Sequence, residues 1–149
     1  MFERGLSEGR KMKIAVIDGM GGGIGSQIIA SLKKEIQEDI TILALGTNAI
    51  ATNNMIKAGA EKGATGENAI KVTAADVDLI IGPLGIIIPN SMLGEITPAM
   101  AEYISNSPAL KIVLPVNQSH VEIAGYESKP LNQLIKAALN RVKELVVQK

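Results

Sequence analysis

The stretch Lys13-Ile14-Ala15-Val16-Ile17-Asp18-Gly19-Met20-Gly21-Gly22-Gly23-Ile24-Gly25-Ser26-Gln27-Ile28-Ile29 decides the fold. Lys13 to Ile17 reads as a buried strand, a short apolar run ended by turn residues. Asp18 follows, then four glycines in the next five positions. From Ile24 onward apolar residues fall at 24, 28, 29, 32 and 36, the spacing of one helix face. Strand, glycine loop and helix together form the unit that seats a phosphate. Glycine lets the backbone turn sharply and approach a ligand, and the helix start offers free N–H groups and the positive end of its dipole to an anion. The candidate ligand-binding residues of this stretch are Asp18, Gly19, Gly21, Gly22, Gly23, Ile24 and Gly25. The competing reading is a tight turn that only packs helix on strand; four glycines exceed what packing requires.

The dinucleotide pattern G-x-G-x-x-G is not met literally, because Ile24 stands where a third glycine would follow Gly19 and Gly21. The spacing Gly19-x-x-x-Gly23-Ile24-Gly25 instead resembles the glycine loop of short-chain dehydrogenases, over about the first third of the chain. That resemblance implies a nicotinamide cofactor, NADP among the candidates, and an NADP-dependent reductase as one reading of function. The family's catalytic Tyr-x-x-x-Lys is missing: four residues after Tyr103 stands Ser107, and four after Tyr126 stands Pro130. The chain is also short for that family's seven-stranded sheet, so the likeness stops at the loop.

Composition narrows the classes. At 149 residues the chain is long enough for one domain with a proper core. Lys plus Arg equals Asp plus Glu, 15 each, which gives no overall attraction to nucleic acid or to a membrane surface. One Phe, two Tyr and no Trp leave too few aromatics for a base-stacking surface. No cysteine is present, so disulfides and thiolate chemistry are excluded, and the absence fits a reducing, cytoplasmic setting. With a single histidine, an ordinary zinc site has no ligand set. No apolar run approaches the length of a membrane span. Residues 1–12 are polar and mixed in charge, without the apolar core of a signal peptide; they read as a loosely ordered leader before a single Rossmann-like α/β domain over 13–149.

Along the chain, Ile40 to Leu45 is a second buried strand ended by Gly46-Thr47-Asn48. Thr47 or Asn48 caps a helix over about 49–58, closed by Gly59. Residues 60–69 read as a loop and Ile70 to Val72 as a short edge strand. Val77 to Ile81 is a third major strand, ended by Gly82-Pro83. Leu84 to Pro89 carries four large aliphatic residues with no period. A helical segment over 91–105 restarts at Thr97-Pro98, with threonine as cap and proline in the first turn. Lys111 to Val116 is a strand whose Pro115 places its end outside the sheet or at an edge. Asn117 to His120 is a turn, and Val121 to Ala124 a short strand. The last helix, about Pro130 to Val147, has the clearest apolar face, at 131, 134, 135, 138, 142, 145 and 146. The alternation predicts a three-layer α/β fold: a mostly parallel Rossmann-like sheet with helices on both faces.

In such sheets ligands sit beyond the carboxyl ends of the strands. Those ends carry Asp18-Gly19, then Gly46, Thr47 and Asn48, then Gly82 and Pro83, then Asn117. All are added to the candidate binding set. An NAD site places Asp or Glu at the second strand end for the ribose hydroxyls; Gly46, Thr47 and Asn48 supply no acid there, which lowers the case for NAD. Asp18, Glu67 and Glu95 are carboxylates near predicted loops, and His120 is the chain's one histidine, the side-chain type suited to proton transfer near neutral pH. His120 with Asp18 or Glu67 would make an acid–base pair across the edge; the plainer readings are a surface histidine and an aspartate that ties down its own loop.

From Met12 the chain resembles a short bacterial family that is itself a domain of unknown function. The stretches that carry the resemblance are Lys13 to Gly25, Ala44 to Thr52, Gly63 to Ile70 and Ile81 to Ile96. It implies a Rossmann-like fold and no particular activity. A fainter likeness, carried by Gly46-Thr47 and by Gly82-Pro83-Leu84-Gly85, is to methylglyoxal synthase, whose catalytic aspartates have no counterparts here. Together the observations predict a domain that binds a small molecule, a nucleotide or another phosphorylated metabolite, at the glycine loop. No convincing catalytic set accompanies it. The alternative is a non-enzymatic oligomeric interaction or regulatory subunit. A homo-oligomer, most simply a dimer, is expected, because the aliphatic run Leu84 to Pro89 has no amphipathic period and reads as an exposed patch.

Overall fold

The computed structural model describes residues 11–116 and 120–147. Five strands form one sheet: β1 (Met12–Asp18), β2 (Ile40–Gly46), β3 (Lys62–Thr65), β4 (Leu79–Pro83) and β5 (Leu110–Leu114). Their spatial order is β3-β2-β1-β4-β5, and all four ladders are parallel. Parallel strands are covered on both faces and read as continuous apolar runs, and β1 does: Ile14 to Ile17 are fully buried. Its side chains alternate between two cores. Ile14 and Val16 join the helices α1 (Gly23–Glu35), α2 (Ala49–Lys57) and α5 (Leu131–Val147). Ala15 and Ile17 join α3 (Glu67–Ala74) and α4 (Pro98–Ser105) on the other face. The chain is a three-layer α/β domain.

The helices begin where their caps lie. The Asn48 side chain accepts from the Ala51 N–H at the start of α2, and Thr97 accepts from Met100 at the start of α4, with Pro98 in the first turn. Helix α5 buries Leu134, Ile135, Ala138, Leu139, Val142, Leu145 and Val146 against α1 and the sheet.

Several expectations change. Met12 is the first residue of β1 and fully buried, not the end of a leader. Residues 60–69 are not one loop, since Lys62 to Thr65 pair with Leu43 to Gly46 as β3. Ile70 to Val72 is not an edge strand but part of α3, where Ile70 and Ala74, one turn apart, are the buried pair. The third major strand lies two residues further on than expected. The helix expected over 91–105 starts only at Pro98, because 88–96 is a turn with Asn90, Met92, Leu93 and Gly94 all at positive φ. Val121 makes a single bridge rather than opening a strand.

The aliphatic run folds inward. Leu84–Ile87 is one 3-10 turn that buries Ile86 against α4 and half-buries Leu84 and Ile87, and Ile88 is half-buried after it. No side chain of Leu84 to Ile88 is fully exposed, so this segment is not the exposed patch on which a dimer was expected.

Candidate functional site

The sheet order changes direction between β1 and β4, and a ligand crevice opens at such a switch point. A cavity of about 290 Å³ lies there, lined by residues Asp18 to Ile24 on one side and by Pro83, Gly85, Met92 and Val116 on the other. A second, open cleft of about 600 Å³ is lined by Met20, Gly21, Asn48, Ala49, Ile50 and Glu95. Met20 and Gly21 line both, so the two clefts meet across the glycine loop.

The loop is pinned nearly atom by atom. The buried Asp18 carboxylate accepts from the Gly19 N–H through Oδ1 (2.8 Å) and from the Gly25 N–H through Oδ2 (2.7 Å). It thereby caps the third residue of α1 from outside the helix. Burial raises the pKa of Asp18, the N–H groups of Gly25 and Gly19 offset part of this, and the charge of Glu95 adds to the rise. Gly22 donates to the Gly19 carbonyl at 2.8 Å. Asn48 Nδ2 donates to the Met20 carbonyl and Asn54 Nδ2 to that of Gly21, each at 2.9 Å. Among the described residues, the N–H groups of Gly21 and Gly23 make no hydrogen bond.

The glycines sort by surroundings. A Cβ on Gly25 would lie 2.5 Å from the Met55 sulfur and 3.0 Å from Asp18 Cβ. One on Gly22 would lie 2.9 Å from the Ala51 backbone, at φ +74°. One on Gly19 would meet Met92 and Thr47 at 2.7 Å. Gly46 is closed by Thr52, and Gly82 by the Ile17 carbonyl where β4 runs beside β1. These five are glycines because the fold leaves no room. Around Gly21 and Gly23 nothing lies within 4 Å of a built Cβ, and neither sits at positive φ. Packing does not account for these two.

The acid that the second strand end lacks comes from elsewhere. Glu95, on the turn after β4, reaches across to the end of β2. Its Oε1 accepts from the Met20 N–H (2.8 Å), from Thr47 Oγ1 (2.5 Å) and from Asn48 Nδ2 (3.0 Å). The Thr47 hydroxyl, then the Met20 N–H, hold its pKa below the ordinary glutamate value. Glu95 stood out in the sequence only as an acid near a loop; the spacing of 48 residues from Thr47 carries no signal. The non-glycine residues at positive φ among the described residues are Met20, Asn90, Met92 and Leu93, and all four belong to the glycine loop or to the turn that presents Glu95. Such conformations cost about 1–3 kcal/mol each and gather where a structure positions functional groups.

The plainer readings of His120 and Asp18 hold, and no acid–base pair is formed between them or with Glu67. The hydrogen bonds of Asp18 go to loop N–H groups, Glu67 accepts from Thr97 Oγ1 at 2.7 Å, and His120 is exposed on a turn. Ile24 and Pro83 line the switch-point cavity. Asn117 lies outside the described residues.

A family described as "Domain of unknown function (DUF3842)" matches residues 13–147. The chain belongs to that family. No curated protein matches the DUF3842 chain. Among solved structures it is similar to a dodecameric FMN-dependent Ubix-like decarboxylase from Escherichia coli O157:H7, at 13% identity and a TM-score of 0.46, over 87% of this chain and 75% of that one. No helix among the described residues of the DUF3842 chain is long and apolar enough to cross a membrane.

Proposed function

We propose that this protein binds a nucleotide or another phosphorylated small molecule across its glycine loop. The observation that carries the reading is the open space over Gly21 and Gly23. A Cβ at either position would have no atom beyond its chain neighbours within 4 Å, yet both are glycine in a loop otherwise fixed by hydrogen bonds. Keeping that space clear lets a ligand reach the backbone. The two N–H groups without partners are the donors for its phosphate, reinforced by the dipole of α1. Among the described residues no Lys or Arg lines either cleft, so phosphate recognition by them rests on backbone and contributes modestly. The rest of the affinity comes from the sugar and base.

The test is a thermal-shift titration with nucleotides and sugar phosphates on the wild-type protein and on Gly23→Val. A ligand at about 100 times its Kd stabilises the wild type by roughly 2.7 kcal/mol. The variant keeps its unliganded melting temperature and loses the shift. A set of nucleotides and sugar phosphates that moves neither protein removes the reading.

A second reading, a self-associating interaction or regulatory subunit, draws on Leu93. It is 94% exposed at a φ of +56°, a large apolar side chain held in water on strained backbone. Exposed apolar groups of this kind mark contact surfaces when they cluster; Met20 and Ile50 are exposed too, in the cleft lined by Glu95, which lies two residues after Leu93 in the chain.

A further inference from the structure

We propose that Glu95 reads the sugar of the bound nucleotide: its carboxylate accepts a ribose hydroxyl from a nucleoside whose base lies between Met20 and Ile50, and it turns away ligands phosphorylated on that hydroxyl. This rests on the reading of the glycine loop as a nucleotide site and specifies which nucleotides it takes.

Three observations lead there. The first is position. The ribose acceptor of a dinucleotide fold belongs at the end of the second strand. In this chain Thr47 and Asn48 occupy that end, and both donate to the carboxylate that Glu95 brings from the turn after β4. The acid is present in space though absent from the local sequence. Its three donors all converge on Oε1; among the described residues Oε2 has no hydrogen-bond partner and remains as an acceptor.

The second is the cleft. Glu95 shares it with Met20 and Ile50, residues that are 48% and 68% exposed. Two uncovered apolar side chains beside a fixed acceptor suit a flat base and a hydroxylated sugar. Because Met20 and Gly21 also line the switch-point cavity, a phosphate over Gly21 and Gly23 and a ribose at Glu95 fall in two adjoining clefts that share those residues.

The third is charge. Among the described residues no Lys or Arg lines the cleft to neutralise a second phosphate. A phosphate on the ribose hydroxyl would be placed against a carboxylate, and like charges set face to face are a strong means of refusing a ligand.

A purely structural role, in which Glu95 only straps the glycine loop to β2, makes a different forecast. In Glu95→Gln the amide oxygen still accepts from Met20, Thr47 and Asn48, so the strap survives while the charge is lost. Isothermal titration with ADP-ribose and with its 2′-phosphorylated counterpart separates the two roles. The wild type is expected to bind ADP-ribose about tenfold tighter, a difference of roughly 1.4 kcal/mol. Glu95→Gln, with an unliganded melting temperature near that of the wild type, brings the two affinities together. Equal or tighter binding of the 2′-phosphorylated probe by the wild type overturns the proposal without reference to any variant. So does a preference that Glu95→Gln leaves unchanged. FMN, which carries a phosphate but no ribose ring, isolates the underlying reading. If FMN shifts the melting temperature and ADP-ribose does not bind, the loop reading stands and the role of Glu95 falls. If none of the three probes binds, both fall.

Discussion

The Asp18 carboxylate and the Gly25 N–H, seven residues apart, meet at 2.7 Å, so the last residue of β1 caps the helix that follows it. The glycine loop is held closed from its two ends. The protein's own hydrogen bonds shape it, and residues that shape it are therefore separable from residues that a ligand would touch.

The glycines should divide in stability measurements. Gly25→Ala forces a methyl against Met55 and Asp18 and should cost about 1–3 kcal/mol. Gly22→Ala should cost about 1–2 kcal/mol for its left-handed backbone, beyond the contact with Ala51. Gly21→Ala and Gly23→Ala meet nothing and should be neutral or stabilise by up to about 1 kcal/mol. Urea unfolding curves of the four variants check this ordering; a large loss at Gly23 would return the loop to a packing role.

Asp18→Asn should destabilise by about 1–3 kcal/mol. An amide presents one acceptor oxygen where the carboxylate serves two N–H groups, so the Gly19 or the Gly25 donor is left facing an NH2. Amide hydrogen exchange should quicken at the start of α1 and not in α5. Unchanged protection at Gly25 would show that the cap contributes little.

Glu95 gives an acid limb to the stability profile. Its folded pKa lies below its ordinary 4.5, so the folded state prefers the ionised form. The resulting stability is present above 4.5 and is lost as pH falls through the lower, folded value. The wild type should therefore exceed Glu95→Ala in stability near neutrality, with the gap closing in acid. Asp18 runs the other way. Its raised pKa gives a contribution that is complete below its ordinary 3.8 and fades as pH rises through the folded value. Because Asp18 remains in both proteins, the difference between their melting curves, taken every half unit from about pH 3 to 7, isolates Glu95 apart from the charge it places on Asp18. A gap that stays constant over that range would mean the bonds from Thr47 and Met20 do not hold the carboxylate in solution.

Leu93→Lys should leave stability within about 0.5 kcal/mol of the wild type, since the side chain packs on almost nothing. If this end of the sheet is a contact surface, light scattering at micromolar concentration gives a wild-type mass above that of one chain and a smaller mass for the variant. A single-chain mass for both removes the self-association reading.

The sequence by itself determined the class and most of the frame. Buried parallel strands announce themselves as apolar runs, as Ile14 to Ile17 do, and a long amphipathic helix such as α5 shows its period over 17 residues. Caps at Asn48 and Thr97 are local chemistry and were legible for that reason. Tertiary structure decided the rest. Residues Lys62 to Thr65 are all exposed and carry no apolar pattern; they form a strand only because β2 offers them an edge. Helix α3 is too short to display a period, and its Ile70 and Ala74 are helical because a core face waits for them one turn apart. The candidate site divides in the same way. Its glycine loop is contiguous and could be read along the chain. The acid at the end of β2 could not, because Glu95 reaches Thr47 only after β4 has been laid beside β1 and the turn at 88–96 has bent back over the sheet edge.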